Sequence, residues 1–184
     1  MTRVWLIRHT ASTALPGAAI GVTDPPLSDQ GYEQARHLAA AMASCPLVRI
    51  LSSDRRRALD TAGILAAPHR LAVEPSAALR EIDFGAWEGR SLKDLWTEEP
   101  VAAGAWERDI RLTPTSFGES LEAVERRVGA FWASLSPLPS QGEIAVVAHG
   151  GSLAVLRAVI TGETVADAFA TRLEVGDAVA LTAG

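Results

Sequence analysis

The sequence has one cysteine, Cys45, which excludes an internal disulfide framework and any metal site built from several cysteines. Its neighbours Ala43, Ser44 and Pro46 mark a helix end, so an inert thiol is expected there rather than a nucleophile. Long apolar runs are missing too: no stretch approaches the ~20 residues of a membrane-spanning helix. Positive charge is scarce. With a net charge of −5, non-specific nucleic-acid binding is a poor fit, and any arginines serving a ligand must be concentrated locally. No G-x-x-x-x-G-K-[ST] loop occurs, which argues against nucleoside triphosphate chemistry. No repeat, linker or low-complexity segment interrupts the chain. The first strand begins next to Met1, so no signal peptide is expected, and a cytoplasmic protein with no membrane partner fits best.

What remains is the balance of a globular protein: 184 residues, 48% hydrophobic and 21% charged, enough for one domain with a real core. Val4–Ile7 reads as a short strand buried on both faces. Ser28 is placed as an N-cap, and Ala35, Leu38, Ala39 and Met42 give the stripe of an amphipathic helix. "LVRILSS" reads as a strand, "DRRRALDTAGILAA" as a helix ended by Pro68, and "LAVEP" as a third strand. Short helices are expected around Leu92–Trp96 and Val101–Arg108. A strong helix follows, with Leu121, Val124, Val128, Phe131 and Leu135 on one face. "EIAVVAH" is a buried strand, "GSLAVLRAVI" a helix and "DAVALTA" a closing strand. This alternation predicts an α/β fold, a three-layer α/β/α sandwich with a mainly parallel sheet. The single domain, 1–184, would carry an insertion at 77–115 after the third strand, long enough to be a lid.

The chemistry gathers at strand ends. "VWLIRHTAS" and "IAVVAHGGS" are apolar runs ending on His9 and His149. Ligands of parallel sheets bind outside the carboxyl ends of strands, so the two histidines can converge. One such histidine is as well explained by a helix cap; two at equivalent strand ends, one preceded by Arg8, favour a site. Arg8 at a buried strand end needs an anion, either a protein carboxylate or a phosphate that matches its fork. Gly150 and Gly151 leave backbone N–H groups at a helix start, where the dipole adds to anion binding. Arg55, Arg56 and Arg57 cannot all face one way, and spacing does not choose among them. Glu81, Asp83 and Glu88 offer a proton donor for a leaving oxygen, with solvent exposure expected for at least two of the three. His37 and His69 are expected at the surface. Trp96 and Trp106 lie in the insertion and could wall a pocket, although ordinary packing explains each.

Together these segments resemble the histidine phosphatase superfamily, which includes phosphoglycerate mutases, over nearly the whole chain. Leu6-Ile7-Arg8-His9-Thr10 is similar to its L-x-R-H-G signature, and "LSDQGYEQA" to its L-T-x-x-G-x-x-Q-A helix start. "SSDRRRALDTA" resembles S-S-x-x-x-R-A-x-x-T-A, which selects Arg57. "LREIDFGAWEG" resembles L-x-E-x-x-x-G-x-W-E-G, which selects Glu81, and "VVAHGG" matches the second histidine motif at His149. The chain departs from the pattern at Thr10, Ala11 and Leu15, where glycine, glutamate and asparagine are usual; loss of the asparagine removes one customary phosphate contact. The "RHT" start, the run from Pro16 to Leu27 and the "FGES" segment resemble the α-ribazole phosphatase branch.

The resemblance implies catalysis by His9, Glu81 and His149, with Arg8, Arg57 and Gly150 on the phosphate. His9 would attack a small-molecule phosphomonoester, protonated His149 and the two arginines would hold the equatorial oxygens, and Glu81 would protonate the leaving group. No metal and no cofactor is expected. A phosphoglycerate mutase would share these residues, but members of that branch tend to be longer. A non-catalytic phosphate-binding protein would not need Glu81.

Overall fold

The computed structural model describes residues 1–109, 111–113 and 117–184. Five strands form one sheet: β1 (Thr2–Arg8), β2 (Leu47–Ser53), β3 (Val73–Ser76), β4 (Glu143–Ala148) and β5 (Ala178–Ala183), in the order β3-β2-β4-β1-β5. The β1–β4, β2–β4 and β2–β3 pairs are parallel, and only β5 runs antiparallel, along β1. β4 sits at the centre and is buried at every position, as its unbroken run of apolar residues after Glu143 requires.

Alternation along the strands sends side chains into two separate cores. Val4 and Leu6, with Ile144, Val146 and Ala148, pack against α5 (Leu121–Ser134), α6 (Gly150–Thr161) and α7 (Val165–Ala170). Ile7 and Ile50, with Ala145 and Val147, pack against α1 (Asp29–Met42) and α2 (Arg56–Ala66). The result is the expected three-layer sandwich. The stripe Ala35, Ala39 and Met42 is the buried face of α1, and the Ser28 hydroxyl caps that helix by accepting from the Gly31 N–H at 3.1 Å. α2 does not stop sharply before Pro68: a 3₁₀ turn, Ala67–His69, takes in the proline at its first turn, where no N–H is needed. α7, six residues long, has too little periodicity to be read from sequence.

The segment after β3 holds two 3₁₀ turns (Ala77–Leu79 and Gly85–Trp87), then α3 (Leu92–Glu98) and α4 (Pro100–Arg108). It has a small core of its own, in which Ala19, Trp87, Leu95 and Ala103 are buried against Phe84 and Trp106. Trp106 meets the Phe84 ring edge-on at 6.1 Å and the Trp87 ring at 6.0 Å, so it packs. Trp96 is 44% exposed and lies over Gly104. Residues 110, 114 and 115 of the expected insertion lie outside the described residues.

Candidate active site

The carboxyl ends of β1, β2 and β4 adjoin in the sheet, so their last residues share one crevice. The His9 and His149 ring centroids are 5.2 Å apart at 63°, and both side chains are buried. His9 Nδ1 lies 2.8 Å from the Thr10 carbonyl oxygen, which can only accept, so Nδ1 carries the proton. That leaves a lone pair on Nε2, and the Arg57 Nε–H donates to it at 3.3 Å. Burial first, then the charges of Arg57 and Arg8, push the His9 pKa down to about 3 against the bond to Thr10. The ring is therefore neutral at ordinary pH, with a free base on the side that meets Arg57.

His149 is bonded the other way round. Its Nε2 lies 2.8 Å from Ser53 Oγ, and its Nδ1 is buried without a hydrogen-bond partner among the described residues. The Ser53 hydroxyl already accepts from the Arg55 backbone N–H at 3.3 Å. The hydroxyl keeps a second lone pair as well as its own proton, so it can accept from or donate to His149 Nε2, and the tautomer sets the direction. The sequence expectation of a protonated His149 needs correction for the protein's own groups alone. Burial, followed by the charges of Arg57, His9 and Arg8, lowers its pKa well below the usual histidine value. A phosphate dianion would act in the opposite direction and favour the charged ring.

Arg57 is 1% exposed at its side chain, yet its position is over-determined. Nη1 donates to Thr23 O at 3.0 Å and Nη2 to Ile20 O at 3.2 Å, and Asp24 Oδ1 lies 3.6 Å from Nη1. The loop supplying those carbonyls is held by Glu88, which accepts from the backbone N–H groups of Gly21, Val22 and Thr23 at 2.8–3.2 Å. Gly21 is required here, because a Cβ would stand 1.9 Å from the Ile82 carbonyl oxygen. Sequence reasoning missed Glu88 as this anchor. Its signal was its place between Trp87 and Gly89 in the motif that selected Glu81. Arg56 points away, its Nε 3.6 Å from Asp60, and is 62% exposed. Of the three arginines, Arg57 is the one that meets His9.

Arg8 donates from Nη1 to Leu173 O at 2.8 Å, its Nε is buried without a partner, and no carboxylate stands within ion-pair distance among the described residues. Gly150 packs flat against it: a Cβ there would lie 3.2 Å from Arg8 Cζ. Gly150 thus makes room for the guanidinium. The helix start after it is not left open, since Gly151 N donates to Glu81 Oε2 at 2.9 Å and Ser152 N to Oε1 at 3.2 Å. Ile82 N adds a third bond to Glu81 Oε1 at 3.0 Å. The helix dipole favours a negative group at that place.

The expectation that two of the three acids face solvent is not met. Asp83 Oδ1 accepts from Gly85 N at 2.8 Å, and all three are partly buried. His37 is exposed as expected, but His69 is half-buried with Nε2 lacking a partner among the described residues. Thr10, in place of the usual glycine, is fully buried and bonds through N and Oγ1 to Thr61 Oγ1, each at 3.2 Å. Leu15 is 70% exposed. A cleft of about 360 Å³ opens beside Glu81, lined among others by Val22, Arg55, Asp83 and Phe117. Trp96 and Trp106 do not line it. No group of three or more metal-ligating side chains occurs among the described residues, and no helix among them is long and apolar enough to cross a membrane.

Comparison with known proteins adds a second line. The sequence profile of the histidine phosphatase superfamily (branch 1) matches residues 4–183. The chain is 34% identical over 161 residues to the adenosylcobalamin/alpha-ribazole phosphatase of Escherichia coli (strain K12), covering 87% of this chain and 79% of that protein. It is 33% identical over 167 residues to a protein of Proteus mirabilis (strain HI4320) named "Probable phosphoglycerate mutase GpmB", covering 88% and 76%. The crystal structure of the alpha-ribazole phosphatase from Shigella flexneri matches with a TM-score of 0.86 at 32% identity, over 97% of this chain and 89% of that one.

Proposed function

Because the chain belongs to the histidine phosphatase superfamily, a family of phosphoric monoester hydrolases, we propose that it works through a phosphohistidine on His9, without a metal. The observation that carries this is the pair of buried rings, 5.2 Å apart between centroids: His9 with a free Nε2 lone pair, and His149 held at Nε2 by Ser53 with its Nδ1 unbonded among the described residues.

His9 Nε2 donates its lone pair to phosphorus as the ester P–O bond breaks, and the leaving oxygen takes a proton from Glu81. Arg57 gives up its contact with Nε2 to a phosphoryl oxygen, while Arg8 Nε and the Nδ1–H of a His149 ring charged by the phosphate, both buried and unbonded among the described residues, serve the others. Gly150 sets how closely Arg8 approaches. Water then attacks phosphorus, the P–N bond breaks back onto Nε2, and the water's proton passes to Glu81. Each Glu81 oxygen has two lone-pair sites, so the carboxyl can accept its N–H bonds and still present a proton.

The substrate we favour is α-ribazole 5′-phosphate, a monophosphate with a bulky aromatic leaving group. Two relatives carry that phosphatase name, and the cleft beside Glu81 offers Val22, 44% exposed, and Phe117, 97% exposed, as apolar wall. These take the place first considered for Trp96 and Trp106. Stacking on one ring is worth about 1 kcal/mol, a several-fold preference. kcat/KM is expected to be highest for α-ribazole 5′-phosphate, ahead of ribose 5-phosphate and 3-phosphoglycerate. Preference for the small acid, or accumulation of 2-phosphoglycerate, would make the enzyme a mutase instead. Glu81→Gln should cripple hydrolysis of alkyl phosphates while sparing much of the p-nitrophenyl phosphate reaction, whose leaving group needs no proton; equal losses would point to a structural role.

A further inference from the structure

Three arginines line the cleft beside Glu81, and two of them are spent within the protein. Arg80 forms a two-point pair with Asp54 at 2.7 and 2.5 Å. Arg127 holds Glu119 at 2.8 and 2.9 Å and the carbonyls of Ala78 and Glu81 at 2.7 and 3.2 Å. Arg55 differs. Its side chain makes no hydrogen bond or ion pair among the described residues, and its Nε is buried without a partner. Its backbone explains why the residue stands there: it is the N-cap of α2, and its N–H caps Ser53 Oγ. Nothing in that role calls for a guanidinium. A half-buried cation with one buried donor left unanswered is costly unless something else answers it.

We propose that Arg55 is a specificity-determining residue that reads a pair of oxygen acceptors on the leaving group, a few bonds beyond the ester oxygen. The inference rests on the reading of the site as a phosphatase centred on His9. Its direction comes from position. Arg57, two residues on, turns inward to His9, while Arg55 lines the same cleft as Glu81, the group assigned to the leaving oxygen. A planar fork of N–H donors suits two oxygens held side by side, such as a vicinal diol or a carboxylate. Val22 and Phe117, in the same cleft, would then meet the apolar remainder of the molecule. The leaving group so described is polar next to the ester and apolar beyond it.

The test compares wild type and Arg55→Ala on ribose 5-phosphate, 3-phosphoglycerate and phenyl phosphate, together with inhibition by inorganic phosphate. Losing a hydrogen-bonding charged partner costs on the order of tenfold or more. That loss, relative to phenyl phosphate, is expected for at least one of the two oxygen-bearing substrates, and the one affected identifies the acceptors as diol or carboxylate. The Ki for inorganic phosphate is expected to move by less than about threefold, since the lost contact is not to phosphate. Equal losses on all three substrates with a parallel rise in that Ki would place Arg55 on the phosphate and overturn the proposal, as would no selective loss at all. Should the alanine variant fail to fold, Arg55→Lys is read the same way, because it keeps the charge but not the planar fork. If the wild type hydrolyses none of the three substrates or α-ribazole 5′-phosphate, the phosphatase reading itself fails, a result separate from any effect at Arg55.

Discussion

His9 at the end of β1 and His149 at the end of β4 follow the same kind of apolar run on adjacent parallel strands, yet their rings are tied down through opposite nitrogens. At the β1 end a backbone carbonyl one residue away takes the Nδ1 proton and frees Nε2. At the β4 end a hydroxyl from β2 holds Nε2 and leaves Nδ1 unbonded among the described residues. One ring is left with Nε2 facing the site and the other with Nδ1, although burial and the same arginines lower the pKa of both. The difference teaches that the strand ends supply location alone. Role is set by what each ring's other nitrogen touches.

The comparison breaks most sharply at the proposed nucleophile. His9→Ala is expected to lose at least about 10⁴-fold in kcat/KM with any phosphomonoester. His149→Ala, which removes a donor and leaves the attacking base, should lose less, on the order of 10²–10³-fold. Loss of the same size at both positions, in a side-by-side kinetic series, would say that the two rings act alike.

Of the two histidines, Arg57 hydrogen-bonds the β1 one, so it sharpens the contrast. Arg57→Ala should cost on the order of 10²-fold or more, whereas Arg56→Ala should stay within about twofold, since its side chain is 62% exposed and pairs with Asp60. A larger loss at Arg56 would contradict the assignment.

A smaller effect is expected at Ser53, the residue that fixes His149. Ser53→Ala should lower kcat by about tenfold, the worth of one buried hydrogen bond, with Ser53→Thr recovering part of it. The imidazole NMR signals of His149 should show the proton distributed over both nitrogens in the alanine variant. Unchanged signals together with unchanged kcat would mean that Ser53 does not set the tautomer.

The last effect is on stability. Both rings have folded pKa values below that of the unfolded chain, so the unfolded state binds protons first as pH falls. Above about pH 6.5 neither histidine costs anything; below it both remove stability, His9 down to about pH 3, each at most about 1.4 kcal/mol per pH unit. His9→Asn should flatten this acid dependence in urea titrations, and an unchanged slope would count against a buried neutral His9.

Much of this arrangement was legible because it depends on local periodicity. β2 was read to its last residue, and the stripes of α1 and α5 are the faces that pack. Arg57 and Glu81 were reached through motif resemblance, since spacing left three arginines and three acids equivalent. The rest depends on contacts between distant segments. Nothing local marks β5 as antiparallel, because direction is set by how the chain returns from α7. Glu88 looked like a solvated acid because its partners, the N–H groups of residues 21–23, converge only when that loop folds back on the segment after β3. The unanswered Nε of Arg55 is likewise visible only once the partners of Arg80 and Arg127 are known.

The central claim is that His9 Nε2 forms the covalent bond to phosphorus, and trapping that bond tests it most directly. Rapid quench of the wild type with labelled phosphomonoester, followed by peptide mapping, is expected to give an acid-labile, base-stable phosphoenzyme on the peptide carrying His9, and none in His9→Ala. Label on the His149 peptide, or a labelled and active His9→Ala, would contradict the account.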